Sequence, residues 1–339
     1  MRARAGMKGK GSCVLTVSLL LSLLFWPAQS ASANNTTFSG EATVVQATVL
    51  GLPPVVLSDT GALDSTGGAR EASLLDANVP GLLTAEVLHA STVGQGQRSS
   101  SEASVANVTL TVGGNTISAG LLRARATAEC HNGTASVSGS SEIVDLVVNG
   151  QAVVVSGQPN QTISLPVGRV IINEQQSSVS GNTGDITVNA LHVMVDGVAD
   201  VIISSAHADI TCGGPVCPGG DFVTGGGWIT GTPSGEKGTF GVAGGIKNGA
   251  LWGHLTYIDH GTNMKVKGTG VTAYTVTGPT TRHIEGTAEI DGRSGSYQVD
   301  VSDNGEPGRK DTFSIMLSNR YSASGLLIGG NIQLHQPCK

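Results

Sequence analysis

The residues best suited to chemistry are concentrated between positions 254 and 311. His254 and His260 bracket Leu255-Thr256-Tyr257-Ile258-Asp259, and imidazoles beside a carboxylate suit proton transfer or metal ligation. Read as a strand, this segment places His254, Thr256, Ile258 and His260 on one face, with the two imidazoles roughly 20 Å apart. That separation is too large for one metal ion, and the competing reading is a pair of hydrogen-bonded structural histidines. A second set, Asp303, Asn304, Glu306 and Asp311, offers hard oxygen donors to calcium, which takes about six to eight of them. Its spacing is not that of a helix-flanked calcium loop, and Arg309-Lys310 would oppose a cation. The alternative is an acidic turn whose carboxylates accept from backbone amides. Apart from calcium at this loop, no cofactor is expected. Third, Trp228, Trp252, Tyr257, Tyr274 and Tyr297 could stack on sugars or on a partner, or fill a core.

Nucleophile elbows, two-histidine zinc helices and phosphate-binding glycine loops are absent from the sequence. Gly225-Gly226-Gly227 runs into Trp228 rather than Lys-Ser/Thr, so backbone geometry at a turn is its expected role. The expectation is therefore a non-catalytic protein with a structural, adhesive or binding role. The alternative is a secreted hydrolase of an envelope or extracellular polymer, using groups near His254, His260, Asp303 and Glu306.

The elements that would hold these residues are strands. Of 339 residues, 49 are glycine and only 4% are aromatic, with no Gly-X-Y period, which excludes collagen and long helices and favours a turn-rich all-β chain. Residues 1–33 read as a signal peptide: Arg2, Arg4, Lys8 and Lys10, an apolar run Val14 to Trp26, then Ala31-Ser32-Ala33. Secretion follows, with no transmembrane segment after cleavage. Residues 34–220 carry fifteen acids against five arginines and no lysine, so no cationic face exists for nucleic acid. The expected partner is an extracellular or envelope ligand of unknown identity.

Cys130, Cys212, Cys217 and Cys338 remain after the leader and read as two disulfides, Cys130–Cys212 and Cys217–Cys338 being favoured over a local Cys212–Cys217 bridge. Composition changes sharply near Cys212. Of ten aromatics after the leader, Phe38 alone precedes position 221, and every lysine follows it. The expected organisation is an acidic, aromatic-poor β domain at 34–211, a linker at 212–220 and an aromatic-bearing module at 221–339.

In the first domain, Leu122, Ala124, Ala126, Ala128 and Cys130 alternate with Arg123, Arg125, Thr127 and Glu129, a strand with Cys130 inward. Gly113-Gly114 and Asn149-Gly150 are hairpin turns. A sandwich-like domain is expected, with a β-helix as the alternative. Residues 58–104 read as a Ser- and acid-rich excursion from the sheet, with a short helix near Glu71–Asp76. The second domain reads as eight strands joined by Gly-rich turns, including Ala250–Asp259 and Thr312–Leu317, a small antiparallel barrel or sandwich.

Residues 38–212 resemble the bacterial choice-of-anchor P family in Phe38-Ser39-Gly40-Glu41-Ala42, in Ala119-Gly120-Leu121-Leu122-Arg123-Ala124, in Asn189-Ala190-Leu191-His192-Val193 and in Ala206-His207-Ala208-Asp209. Residues 221–335 are similar to the module that often follows it, through Val223-Thr224-Gly225-Gly226-Gly227-Trp228-Ile229, Gly253-His254-Leu255-Thr256-Tyr257, Asp303-Asn304-Gly305-Glu306-Pro307-Gly308 and Gly329-Gly330-Asn331-Ile332-Gln333. The resemblance implies an exported bacterial protein and no enzyme activity. The family is grouped by attachment through varied C-terminal anchors. This sequence shows no recognisable anchor, so free secretion or indirect surface retention is expected.

Overall fold

The computed structural model describes residues 35–214, 220–247 and 249–336, and these are built from strands alone. The first are β1 (Thr37–Phe38), β2 (Glu41–Val49), β3 (Val55–Asp59), β4 (Gly68–Val79), β5 (Leu83–Gln95), β6 (Arg98–Val112) and β7 (Asn115–His131). Then come β8 (Thr134–Val144), β9 (Val147–Val148), β10 (Gln151–Ala152), β11 (Gln161–Leu165), β12 (Gly168–Ser180), β13 (Thr183–Val195) and β14 (Ala199–Thr211). Beyond Cys212 follow β15 (Phe222–Ile229), β16 (Gly238–Lys247), β17 (Ala250–Asp259), β18 (Met264–Val276) and β19 (Thr281–Ile290). The last are β20 (Arg293–Ser302), β21 (Thr312–Leu317), β22 (Ser322–Leu326) and β23 (Gly329–His335).

Strands β1–β14 make two seven-stranded antiparallel sheets, ordered β11-β12-β13-β14-β2-β3 with β1 on β14, and β10-β9-β7-β6-β5-β4 with β8 on β7. The sheets face each other through β13 and β14 against β6, β7 and β8. Alternation decides which side chains lie between them. Leu122, Ala124, Ala126, Ala128 and Cys130 of β7 are all at most 5% exposed and meet Val188, Ala190, Ala206 and Ala208 from the facing sheet. Small alanines let the layers approach closely, which is why a core this size can do with one aromatic, Phe38.

Cys130 at the end of β7 and Cys212 after β14 belong to opposite sheets and are joined by a disulfide. The second expected pair, Cys217–Cys338, lies outside the described residues. The bond spans 82 residues of sequence and restricts the unfolded chain, so Cys130→Ser/Cys212→Ser should lose about 2–4 kcal/mol of unfolding free energy. Urea unfolding of the oxidised, reduced and double-serine proteins, followed by far-ultraviolet circular dichroism, checks this. Coincident curves would rule it out.

Residues 58–104 correct the reading made from sequence. They form no excursion and no helix, but supply all of β4 and β5 and the start of β6, with Glu71–Asp76 inside β4. The second body explains the mismatch. Strands β15–β23 form one antiparallel sheet that curls until segment 322–335 links its edges, β22 pairing with β21 and β23 with β15. Its interior is filled by a second core that includes Phe240, Leu255, Tyr257, Val266, Ile284, Tyr297, Val299 and Phe313. The outer face of β15–β18 lies on β4, β5 and β6, so the outer face of these sandwich strands is covered rather than solvated. A strand covered on both sides by a polar seam does not alternate apolar with polar.

The approach is close. Gly225-Gly226-Gly227 lies inside β15, not at a turn, and a Cβ on Gly226 would sit 3.0 Å from Ser104 Oγ. A Cβ on Gly241 in β16 would sit 3.1 Å from His89 Cβ. Two small apolar clusters cross the seam: Phe222 with Ala69 and Val93, and Ile258 with Val87 and Ala106.

Candidate functional site

The structure disperses the groups singled out from sequence. His254 projects from β17 toward the seam near His89, and burial, with Lys267 adding, holds it below the usual imidazole range. His260 follows the end of β17, where its Nε2 lies 3.0 Å from Thr239 Oγ1 and its Nδ1 3.5 Å from Glu86 Oε2. Asn107 Nδ2 donates to the same Glu86 oxygen at 2.8 Å. Carboxylate, imidazole and hydroxyl thus stand in the order of a nucleophilic relay. Thr239, however, is 1% exposed, so no substrate carbonyl reaches its hydroxyl, and the array ties the barrel to the sandwich. Two residues beside it have left-handed backbone, Val87 (φ 47°) and Asn107 (φ 45°), at a bulge between β5 and β6. For a β-branched valine this is strained, and it turns Glu86 and Asn107 toward His260. A cleft of about 490 Å³ there is lined by Asp76, Glu86, Asn107, His260 and Lys265.

The acidic loop sits elsewhere and its donors are engaged. Asp303 accepts from the Gly305 and Leu334 amides at 3.1 and 2.9 Å. Asp311, fully buried, accepts from the Asn304 and Ile332 amides at 2.8 and 2.9 Å. Asn304 donates through Nδ2 to Ser302 Oγ and Lys310 O, and Glu306 pairs with Arg125 across the seam. Burial nevertheless pushes the Asp311 carboxyl up to about 6. This is the arrangement of a turn stapled by its own carboxylates. Among the described residues, no group of three or more His, Cys, Asp or Glu side chains is placed to hold a metal ion.

Of the aromatics, Tyr257 and Tyr297 are in the barrel core, and Tyr274 donates to Asp221 at one end of it. Trp228 is buried on the outside under Lys237, and Trp252 packs edge-on to Phe222 with Lys247 above it.

Sequence reasoning missed the seam itself. Arg123, 7% exposed, lies 3.3 Å from Glu102 and 3.0 Å from Glu142, and Glu142 also receives Arg309 and the Gly330 amide from the barrel. Burial pushes Glu102 above the usual carboxylate range, while Arg123 and Arg125 pull the other way. The available signal was the face of Arg123, Arg125, Thr127 and Glu129 opposite the alanines of β7, a charged row with no reason to be buried until a second body covers it.

Along one margin of the seam two clefts adjoin. One, of about 460 Å³, is lined by Leu63, Asp64, Ala69, Arg70, Gln95, Phe222, Ile246 and Lys247, among others. The other, of about 200 Å³, shares Gln95 and adds Arg98, Ser100, Gln333, His335 and Gln336. Phe222 stacks on His335 between them, with ring centroids 4.6 Å apart. Arg70 pairs with Asp64 at 3.3 Å, and Lys247 donates to the Ala69 carbonyl. Burial, with Arg70 adding, pushes the Lys247 ammonium below its ordinary range. No family model, curated protein or solved structure significantly matches the chain.

Proposed function

We propose that the chain is an exported bacterial protein without catalytic activity, acting as a structural, adhesive or binding component of the envelope or the extracellular space. The observation that carries this is the dispersal of the reactive groups singled out, with the acidic loop and His260 engaged in holding the fold. The carboxylates of 303–311 hold backbone amides or Arg125, and the one hydroxyl in line with a histidine and a carboxylate is 1% exposed. The signal-like residues 1–33, the Cys130–Cys212 disulfide and the resemblance to the choice-of-anchor P family support export. A nucleic-acid partner is disfavoured, because residues 34–220 carry fifteen acids against five arginines, and Arg123 and Arg125 are covered in the seam and paired with carboxylates.

Of the hydrolase alternative expected on His254, His260, Asp303 and Glu306, what remains to test is His260 with its neighbours Glu86 and Thr239. Incubating the mature protein with peptidoglycan and with acidic and neutral polysaccharides should give retention without release of reducing ends or soluble fragments. Turnover that drops about a hundredfold or more in His260→Gln or Glu86→Gln would overturn the proposal in favour of that alternative.

A further inference from the structure

We propose that the two adjoining clefts along the seam form one groove for a carboxylated oligosaccharide, a sugar chain carrying acids along its length. This deepens the reading of the chain as a binding protein and rests on it.

The charge distribution is the first argument. Residues 34–220 hold fifteen acids and five arginines, yet four of those arginines, Arg70, Arg98, Arg123 and Arg125, are at the seam. Arg70 lines the larger cleft beside Lys247, and Arg98 lines the smaller one. Against these three cations the groove has Asp64, and Glu129 paired to Arg98 at 3.4 Å. On an otherwise acidic body, such a stretch is where an anion is drawn in. The second argument is hydrogen-bonding capacity. Gln95 lines both clefts, and its buried Nε2 has no hydrogen-bond partner among the described residues. Ser100 and Gln336 add uncharged polar groups suited to sugar hydroxyls. Third, Leu63, Ala69, Ile246 and Phe222 give the larger cleft an apolar floor, and its 460 Å³ falls within the roughly 300–1,000 Å³ of small-ligand sites. A lone small acid would use Arg70 and Lys247 and leave the second cleft empty. A chain of acidic sugars uses both.

The test is titration of the mature protein with trigalacturonate, galacturonate and the neutral maltotriose at low ionic strength. Trp252 reports by fluorescence, because Lys247 lies 5.6 Å above its ring. Trigalacturonate should bind at least tenfold more tightly than the monomer, and maltotriose should not bind. Added salt should weaken the complex. Arg70→Gln and Lys247→Gln should each weaken it about tenfold or more, as expected for a lost charge-assisted hydrogen bond. Asp64→Asn removes the competing carboxylate and should tighten it, a change of opposite sign that no general damage to the fold mimics. Equal affinity for monomer and trimer, binding of maltotriose, or indifference to all three substitutions would overturn the groove. In that case, retention on other polysaccharides without turnover would leave the broader reading standing. Cleavage of bound trigalacturonate would do the reverse.

Discussion

Acidification from pH 7 to pH 5 is expected to cost the folded protein about 2 kcal/mol at each of two buried imidazoles, His89 and His335. Burial holds His89 down at about 4, with His254 adding, and His335 down at about 3, with Arg98 and Arg125 adding. Both line the seam. His89 Nδ1 meets Ser73 Oγ at 2.8 Å with Glu71 at 4.0 Å, its Nε2 has no partner among the described residues, and its ring lies against Gly226 and Gly241. His335 Nε2 meets Thr224 Oγ1 at 3.0 Å, and its ring stacks on Phe222. In the folded chain both stay neutral. In the unfolded chain both take a proton as the pH falls through about 6.5. Stability present above that value is therefore lost progressively down to the folded-state values, and is flat below them. Asp311 acts in the opposite sense: raised to about 6, it takes a proton in the folded chain first and returns about 1 kcal/mol by pH 5. Glu71 and Glu102, raised by burial, work in the same direction as Asp311. Urea unfolding at the two pH values isolates the imidazoles by difference. His89→Gln and His335→Gln should each flatten the pH dependence by about 2 kcal/mol. An unchanged slope in both variants would sink the argument.

Where the two histidines sit also shows what the sequence could and could not reveal. The barrel strands Ala250–Asp259 and Thr312–Leu317 were legible to the residue for different reasons: Thr312–Leu317 keeps a period of two, whereas Ala250–Asp259, its outer face covered by the sandwich, was marked by the Lys247-Asn248-Gly249 turn before it. Cys130 was legible as inward from a period of two. Strands β4, β5 and β6 were not. Their outer positions, Glu71, Ser73, His89, Ser91, Ser100 and Glu102, are polar and yet covered, so serine-rich sequence that suggests an excursion belongs to a buried strand. The acidic loop shows the same limit from the chemical side. Its oxygen donors were identifiable by type, but their partners Arg125, Ile332 and Leu334 are distant in sequence, and only the docking of one body on the other brings Arg125 to Glu306. His260 was noticed for its neighbour Asp259, whereas its actual carboxylate is Glu86 from β5. Local pattern specifies each sheet; the seam is specified by what two sheets leave uncovered.

The largest single-site loss is expected at the barrel end. Asp221→Ala should lower unfolding free energy by about 3–5 kcal/mol, the usual consequence of stranding a buried charge. The stranded group is Arg282, 1% exposed. Its Nε and Nη2 both reach the Asp221 carboxylate at 2.5 Å, while Nη1 donates to Gly278 O and Thr281 O at 2.9 and 2.7 Å. Tyr274 donates to the same carboxylate, and burial together with that contact raises its phenol. Without Asp221, two guanidinium nitrogens and one hydroxyl lose their acceptor in a place water enters poorly. Ion pairs of this kind are retained more by the penalty of breaking them than by net stabilisation, so Asp221→Leu combined with Arg282→Met should recover most of the loss. The measurement is selective. In a chain that begins at residue 34, Trp228 and Trp252 are the two tryptophans and both belong to the barrel, so fluorescence-detected urea unfolding reads that body. A single variant that costs under about 1 kcal/mol would mean that Arg282 is solvated as well as it is paired. A double variant no better than the single one would mean that the pair itself, not the stranded charge, holds this end of the barrel together.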